Sequence, residues 1–341
     1  MLCAVALLSG CAGLTEWRPW GPSSSPTRSD RFVLPSPGTD VVGAVQVAIA
    51  REQDTLLDIA RRYGLGYEEI VAANPDLDPW VPGARSQVVL PTQFVLPDTS
   101  RKGLVLNLAA MRLFYFPEAT PGEPPVVITH PIGIGREGWR TPQGTSRITE
   151  KLVQPTWNVP ASVRREHAEM GDPLPARVPA GPDNPLGDFA MRLSLPSYLI
   201  HGTNKPYGVG MRISHGCVRL YPEDIARLFA EVPVGTPVQI INEPYVAGWR
   251  DGQLYLEAHE PLAEEARRWG DNLAPMEAAV EIRALGLSDA VDWGKARQVA
   301  REARGIPVPI SPGSPELDDV LARARRVPSI PQWARADGHD G

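Results

Sequence analysis

Short apolar runs bounded by proline and glycine dominate the stretch between Gly103 and Ile241. The runs read LVLNLAAMRLFYF, PVVITHPIGIG, SRITEKLVQPTW, FAMRLSL, SYLIHGT and TPVQIIN. Apolar segments of about four to eight residues between turn-forming residues are typical of β-strands. The chain also carries 37 prolines in 341 residues, about twice the usual share, which disfavours long helices. The sequence therefore predicts a β-rich core.

Length and charge narrow the class of protein further. Apolar residues make up 43% and charged residues 22%, as in globular proteins, and 341 residues suffice for two domains. The net charge is −6, and the sequence contains no cluster of Lys or Arg. A nucleic acid or another polyanion is therefore not an expected partner.

The N-terminus reads MLCAVALLSGCAG, an apolar run much shorter than the roughly 20 residues of a membrane-spanning helix. It is typical of the apolar part of a signal peptide, although the first basic residue is Arg18. The tetrad LSGC resembles the lipobox of bacterial lipoproteins, which implies a signal peptide at 1–10 and a lipid on Cys11. Residues 11–42 are rich in Pro, Ser and Gly and are expected to form a flexible tether. The alternative is a frayed apolar terminus without an anchor.

Residues 43–97 show the order strand, helix, helix, strand. Asp54 or Thr55 can cap the first helix, Gly64 ends it, and the second helix is expected at 67–73. The segment resembles the LysM module in its DTL, IA, YG, ANP and LP elements. The resemblance implies a small βααβ domain that binds the glycan strands of peptidoglycan. The alternative is a small helical hairpin domain without a ligand.

The segment RISHGCVRLYPEDI at 212–225 contains Cys217, one of three cysteines in the chain. Cys11 lies near the terminus and Cys3 within the signal, so no disulfide framework is available. A thiol is only slightly ionised at neutral pH and needs a base to act as a nucleophile. His215 is close in sequence, whereas His201 could reach the thiol if its strand neighbours that of the motif. Glycine in the turn can let backbone amides converge on an oxyanion.

Two other interpretations of the thiol remain open from the residues alone. Cys217 can be a small buried apolar residue, or it can bind zinc with His201 and His215, although no CxxC or HExxH spacing supports a metal. His130 and His167 are expected to be ordinary surface histidines. GIGREGWRTPQG at 133–144 favours a turn over a phosphate loop. YPEDIARLFAEV, after the motif, predicts a helix that begins at Pro222.

The stretch NPLGDFAMRLSLPSYLIHGTNKPYGVGMRISHGCVRLYPEDIARLF resembles the catalytic segment of the L,D-transpeptidases with a YkuD-type domain. Its hallmark is a histidine followed, after a glycine-rich stretch, by SHGC and a basic residue. The resemblance covers 100–243 and implies an α+β protein with a β-sandwich or barrel-like catalytic domain and a helix after the motif. It assigns Cys217 as the nucleophile, His201 as the proton donor and acceptor, and Arg219 as a ligand of the substrate carboxylate. Support of the turn and the oxyanion falls to Ser214, His215, Gly216 and Gly202.

The implied activity is acyl transfer from the third residue of a peptidoglycan tetrapeptide stem, with release of D-Ala. The acceptor is an amine of another stem or of an outer-membrane lipoprotein, and no metal or other cofactor is implied. The expected location is the periplasmic envelope, with a lipid anchor in a membrane. Alternatives are an L,D-carboxypeptidase, a non-catalytic peptidoglycan-binding lipoprotein, and an NlpC/P60-type peptidase, in which the cysteine precedes its histidine. The extension at 244–341 is expected to be partly helical and carries no motif of assigned role.

Overall fold

A computed structural model describes residues 30–34 and 38–329 of the chain. Cys11, the signal segment and most of the tether lie outside the described residues. None of the described helices is long and apolar enough to cross a membrane.

Short strands and short helices build the whole described chain. The strands are β1 (Arg31–Val33), β2 (Val41–Gly43), β3 (Gln46–Ile49), β4 (Gln87–Leu90), β5 (Gln93–Val95), β6 (Gly103–Asn107), β7 (Arg112–Phe116), β8 (Val126–Pro131), β9 (Ile134–Gly135), β10 (Gly144–Val153), β11 (Trp157–Asn158), β12 (Arg177–Val178), β13 (Phe189–Leu193), β14 (Leu199–His201), β15 (Arg212–Ser214), β16 (Val218–Arg219), β17 (Pro237–Ile241), β18 (Tyr245–Arg250), β19 (Gln253–Ala258), β20 (Val308–Pro309) and β21 (Arg325–Arg326). The helices are α1 (Leu56–Arg62), α2 (Tyr67–Ala73), α3 (Ala161–Glu169), α4 (Pro222–Glu231), α5 (Ala263–Trp269), α6 (Ala274–Ala284), α7 (Trp293–Glu302) and α8 (Leu317–Ala322), with 3-10 turns at Pro206–Gly208 and Ser288–Ala290. This mixture confirms the predicted α+β class.

A nine-stranded sheet forms the centre, in the order β1-β8-β7-β6-β17-β10-β13-β14-β16. The β6–β17 and β14–β16 pairs are parallel, and the other neighbours are antiparallel. Gly133, which follows β8 near one side of the sheet, forms an isolated bridge with Arg219 of the last strand. The sheet therefore curls back on itself, as the expected barrel-like form requires.

Strands β6, β7 and β8 of the curled sheet are buried on both faces, and their side chains alternate between two cores. Leu104 and Leu106 of β6 join the core on the inner side, whereas Val105 between them joins the core on the other side. Helix α4 contributes Ile225 and Leu228 to the inner core. Proline in the first turn and Glu223 and Asp224 beside it favour the start of α4 where the sequence predicts it.

The βααβ segment formed by β3, α1, α2 and β4 is joined to the sheet by a shared core. Leu56 of α1 and Ile70 of α2 belong to the same apolar cluster as Val105 and Phe114 of the sheet. At the centre of this contact the buried Arg112 donates to both carboxylate oxygens of Glu69, at 2.6 and 2.8 Å. The segment is thus part of one packed body with the sheet.

The segment also contacts the chain on both sides of the SHGC motif. The amides of Tyr67 and Glu68 donate to the carbonyls of Val209 and Gly210, just before the motif. After the motif, Tyr221 Oη donates to the carbonyl of Leu65 at 3.0 Å.

The C-terminal extension forms a third layer around its own apolar core. Strands β18 and β19 form a hairpin to which β20 adds, and helices α6 and α7 pack on it. The last strand, β21, pairs in parallel with β3 of the βααβ segment. The extension contains both helices and strands, and its last strand contacts the βααβ segment.

Candidate active site

The predicted base, His201, ends β14, and the predicted nucleophile, Cys217, immediately precedes β16, which pairs with β14 in parallel. Ile200 of β14 pairs with Val218 of β16, and His201 pairs with Arg219. Ile200 and Val218 point into the inner core. Because successive side chains of a strand alternate, His201, Cys217 and Arg219 share the opposite face. The choice of His201 requires that its strand lie next to the strand that follows Cys217, and β14 and β16 are neighbours.

Ser214 fixes the turn that carries Cys217. Its Oγ is buried, donates to the carbonyl of Cys217 at 2.6 Å and accepts from the amide of Gly216 at 3.1 Å. Gly216 has φ 103, and a Cβ there would lie 2.8 Å from the ring of Tyr198. Glycine is therefore required in this turn. The amide of Gly216 is occupied by Ser214, which gives Gly216 a part in shaping the turn.

His201 is held in one tautomer by the backbone. Its Nδ1 lies 2.6 Å from the carbonyl of Gly202, which can only accept, so Nδ1 carries the hydrogen. Nε2 is then the nitrogen that can take up a proton. Burial, with a smaller contribution from the charge of Arg219, lowers the pKa of His201 to about 3. The resting imidazole is neutral.

Cys217 is a free, half-buried thiol. Burial raises the pKa of Cys217, while a hydrogen bond from the backbone of Leu199 and the charge of Arg219 act in the opposite direction. Its Sγ points to the carbonyl of Ser197 at 3.7 Å, and within the described residues it makes no hydrogen bond with His201. Thiol and imidazole therefore rest as a neutral pair on one face of the sheet.

Arg219 supplies a positive charge beside this pair. Burial lowers the pKa of its guanidinium, and its Nε has no hydrogen-bond partner among the described residues. A half-buried cationic donor of this kind can receive a carboxylate.

The contacts of His215 indicate a structural role and not that of a base. Its Nε2 donates to Glu166 at 2.8 Å, and its ring meets the ring of Trp139 edge-on at 4.9 Å. Burial lowers the pKa of His215 even though Glu166 raises it. Hydrogen bonds from Arg136 and His215 lower the pKa of Glu166 to about 2. His215 thus connects the motif with its surroundings.

Glu166 belongs to α3. This helix lies in the segment 157–178, which leaves the central sheet between β10 and β13 and is here called the excursion. Strands β11 and β12 pair with each other and close the excursion at its base. The fully buried Asn184 donates to the carbonyls of Pro155 and Val178 at 2.7 and 3.3 Å, and so ties both of its ends. The excursion covers the motif turn through the contact of Glu166 with His215.

Several of these contacts could not be expected from local sequence patterns. Glu166, Arg136, Trp139 and Asn184 were not singled out, nor was Thr141, whose Oγ1 donates to the carbonyl of Gly216 at 2.8 Å. A polar residue in a turn-rich segment such as GPDNPLG is the available signal for Asn184. No periodic pattern marks the others, because their partners are distant in sequence.

The expectation of a surface position for His130 is wrong. His130 is 2% exposed, and its Nδ1 lies 3.6 Å from Asp224, because α4 covers β8 at this point. Asp30, His130 and Asp224 form the converging set of metal-ligand types among the described residues. Arg227 contacts both Asp30 and Asp224, at 3.3 and 2.7 Å, so a guanidinium already balances their charge. His201, His215 and Cys217 do not form such a set in the described part of the chain.

Comparison with known proteins identifies the family of the chain. A sequence model of the YkuD family, described as the L,D-transpeptidase catalytic domain, matches residues 101–240. "Probable L,D-transpeptidase ErfK/SrfK" of Salmonella typhimurium is 41% identical over 291 residues, 84% of this chain and 93% of that protein. "Probable L,D-transpeptidase YbiS" of Escherichia coli is 40% identical over 282 residues, 81% of this chain and 90% of that protein. A solved mutant L,D-transpeptidase of Enterococcus faecium aligns over 46% of this chain and 56% of that chain, with a TM-score of 0.30 and 21% identity.

The chain is therefore a transpeptidase enzyme. It belongs to the L,D-transpeptidase family, with a YkuD-type catalytic domain at 101–240.

Proposed function

We propose that the protein transfers acyl groups between peptidoglycan stems, with Cys217 as the nucleophile and His201 as the proton carrier. The observation that carries the proposal is the placement of both side chains on one face of the β14–β16 pair, beside Arg219. The substrate class comes from membership of the L,D-transpeptidase family.

The first step is attack of Cys217 Sγ on the carbonyl of the third stem residue. The thiol proton passes to Nε2 of His201, and the carbonyl electrons move to oxygen. The tetrahedral intermediate collapses, the bond to the D-Ala nitrogen breaks, and that nitrogen takes the proton from His201. A thioester and free D-Ala result.

The second step releases the enzyme. An acceptor amine attacks the thioester and gives its proton to Nε2 of His201. The C–S bond breaks, and the sulfur regains a proton as an amide forms. Because the resting pair is neutral, proton transfer accompanies attack and no preformed thiolate is required.

Arg219 is proposed to hold a carboxylate of the donor stem. Arg219 is half-buried and lies opposite His201 in the strand pairing, and its Nε is without a partner among the described residues. A carboxylate bound there would orient the reacting carbonyl next to Cys217.

The remaining proposals concern glycan docking, membrane anchoring and the acyl acceptor. The βααβ segment within 43–97 is proposed to be a LysM-like module that docks on glycan strands. Cys11 is proposed to carry a lipid that anchors the protein to a membrane of the envelope. The acyl acceptor is a second stem or a lipoprotein lysine, whereas acceptance by water would make the enzyme an L,D-carboxypeptidase.

The test is incubation with defined tetrapeptide muropeptides and identification of the products by mass. Dimers linked between third residues support crosslinking, tripeptides alone indicate a carboxypeptidase, and both must disappear with Cys217→Ala. Unchanged tetrapeptides with the wild-type protein would favour the non-catalytic binding protein and would contradict the proposal.

A further inference from the structure

One helix of the C-terminal extension reaches the catalytic motif. The carboxylate of Glu264 in α5 accepts from Arg212 Nη2 at 3.1 and 3.2 Å and lies 3.1 Å from Arg140 Nε. The side chain of Glu264 is 8% exposed. Two cations from separate segments of the catalytic domain therefore meet at one carboxylate from the extension.

Both arginines belong to segments that touch the motif turn. Arg212 begins β15, the strand that ends at Ser214, and it pairs with Ile134 of β9. The carbonyl of Arg140 lies 3.3 Å from where a Cβ on Gly216 would stand. The next residue, Thr141, donates to the carbonyl of Gly216. A displacement of either arginine would therefore shift the backbone that carries Cys217.

Charge and packing show why the contact depends on the carboxylate. Burial raises the pKa of Glu264, but the hydrogen bond and charge of Arg212 and the charge of Arg140 outweigh it and lower the pKa overall. A cavity of about 30 Å³ lies beside the contact, lined among others by Leu108 and Leu262. Close apolar packing therefore does not by itself fix the distance between α5 and the two arginines.

We propose that Glu264 is a positioning residue for the acyl-transfer site: it holds β15 and the 136–141 segment together and so fixes the turn at Gly216 and Cys217. The inference rests on the proposed function for its activity readout. Without the carboxylate, two guanidinium groups repel each other, and the largely buried Arg212 loses its counter-charge. This gives the extension, whose sequence carries no assigned motif, a part in catalysis.

The experiment measures acylation by a carbapenem in the full chain. Glu264→Gln is expected to lower the acylation rate constant by about 10-fold or more, because small displacements at a reacting centre have large effects on rate. The noncovalent binding constant and the final fraction of acylated protein should stay at their wild-type values. Glu264→Asp, which keeps the charge, should restore part of the rate.

Arg268→Gln is the matched control on the same helix. It removes a charge from an exposed side chain of α5, so the rate should not change. An unchanged acylation rate in Glu264→Gln, or an equal loss in Arg268→Gln, would overturn the inference. The inference would also be overturned if Glu264→Gln lowered the final acylated fraction only in proportion to a lower melting temperature.

Hydrogen exchange separates this inference from the proposed function. Glu264→Gln should accelerate amide exchange at 133–141 and 212–217, whether or not the protein reacts with a carbapenem. Equal exchange in mutant and wild type would refute the positioning role even if the protein is active. A wild type that is never acylated would instead refute the proposed function, and exchange would still decide the role of Glu264.

Discussion

His201 and Arg219 lie directly opposite each other in the parallel pairing of β14 with β16. The charge of the guanidinium affects the pKa of both His201 and Cys217. It contributes to the low pKa of His201 and opposes the burial that raises the pKa of Cys217. The arrangement favours a neutral imidazole and makes the thiolate less costly to form.

Arg219→Gln should raise the pKa of both His201 and Cys217, because a nearby positive charge disfavours the imidazolium and favours the thiolate. The pH dependence of thiol alkylation measures the pKa of Cys217, and NMR titration measures that of His201. Arg192→Gln is the control, because Arg192 pairs with Glu150 in an exposed position on β13. A pKa of Cys217 that falls or stays unchanged in Arg219→Gln would contradict this account.

The buried neutral His201 should make folding sensitive to acid. Its pKa is about 3 in the folded protein, against an ordinary value of 6.5. Below pH 6.5 the unfolded chain binds a proton here that the folded chain does not, so the free energy of unfolding falls as the pH decreases. His201→Gln should flatten this dependence between about pH 6.5 and 4.5 in urea denaturation. If the free energy of unfolding depended on pH equally in mutant and wild type, the folded protein would not lower the pKa of His201.

Glu166 should hold α3 against the motif turn. Glu166→Gln removes the charge that Arg136 and His215 both contact, so amide exchange in 157–178 should accelerate while exchange in the central sheet stays constant. Glu169→Gln is the control, because Glu169 is an exposed acid at the end of the same helix. Equal protection in Glu166→Gln and wild type would mean that other contacts hold the excursion.

The ion pair of Glu69 with Arg112 should tie the βααβ segment to the catalytic sheet. Glu69→Gln leaves a buried guanidinium without its counter-charge and should lower the free energy of unfolding by about 3–5 kcal/mol. Calorimetry should show one transition for the segment and the sheet, because they share an apolar core. The exposed neighbour substitution, Glu68→Gln, should change stability little. A separate early transition of the segment would contradict the single packed body.

Local features of this fold could be predicted from the sequence, because their causes lie within a few residues. Thr55 caps α1 and shares a capping box with Asp58, three residues on. Helix α4 begins at Pro222, as its proline and acidic first turn indicate. The roles of Cys217 and His201 follow instead from the resemblance of SHGC and its preceding histidine to a family motif, and they stay predictions.

Contacts between distant segments could not be predicted. Glu166 is 49 residues from His215, and Glu264 is 52 residues from Arg212. Each glutamate lies in a short helix where an exposed acid is the ordinary interpretation. The burial of His130 was missed for the same reason: it depends on α4 covering β8, which the local sequence PVVITHPIGIG does not reveal.

The central claim is that Cys217 is the nucleophile of this L,D-transpeptidase. It is tested most directly by the mass of the intact protein after exposure to a carbapenem. The account predicts that the wild-type mass increases by one drug molecule, that peptide mapping places the adduct on Cys217, and that Cys217→Ala gains nothing. A wild-type protein without an adduct, or an equal adduct on Cys217→Ala, would contradict it.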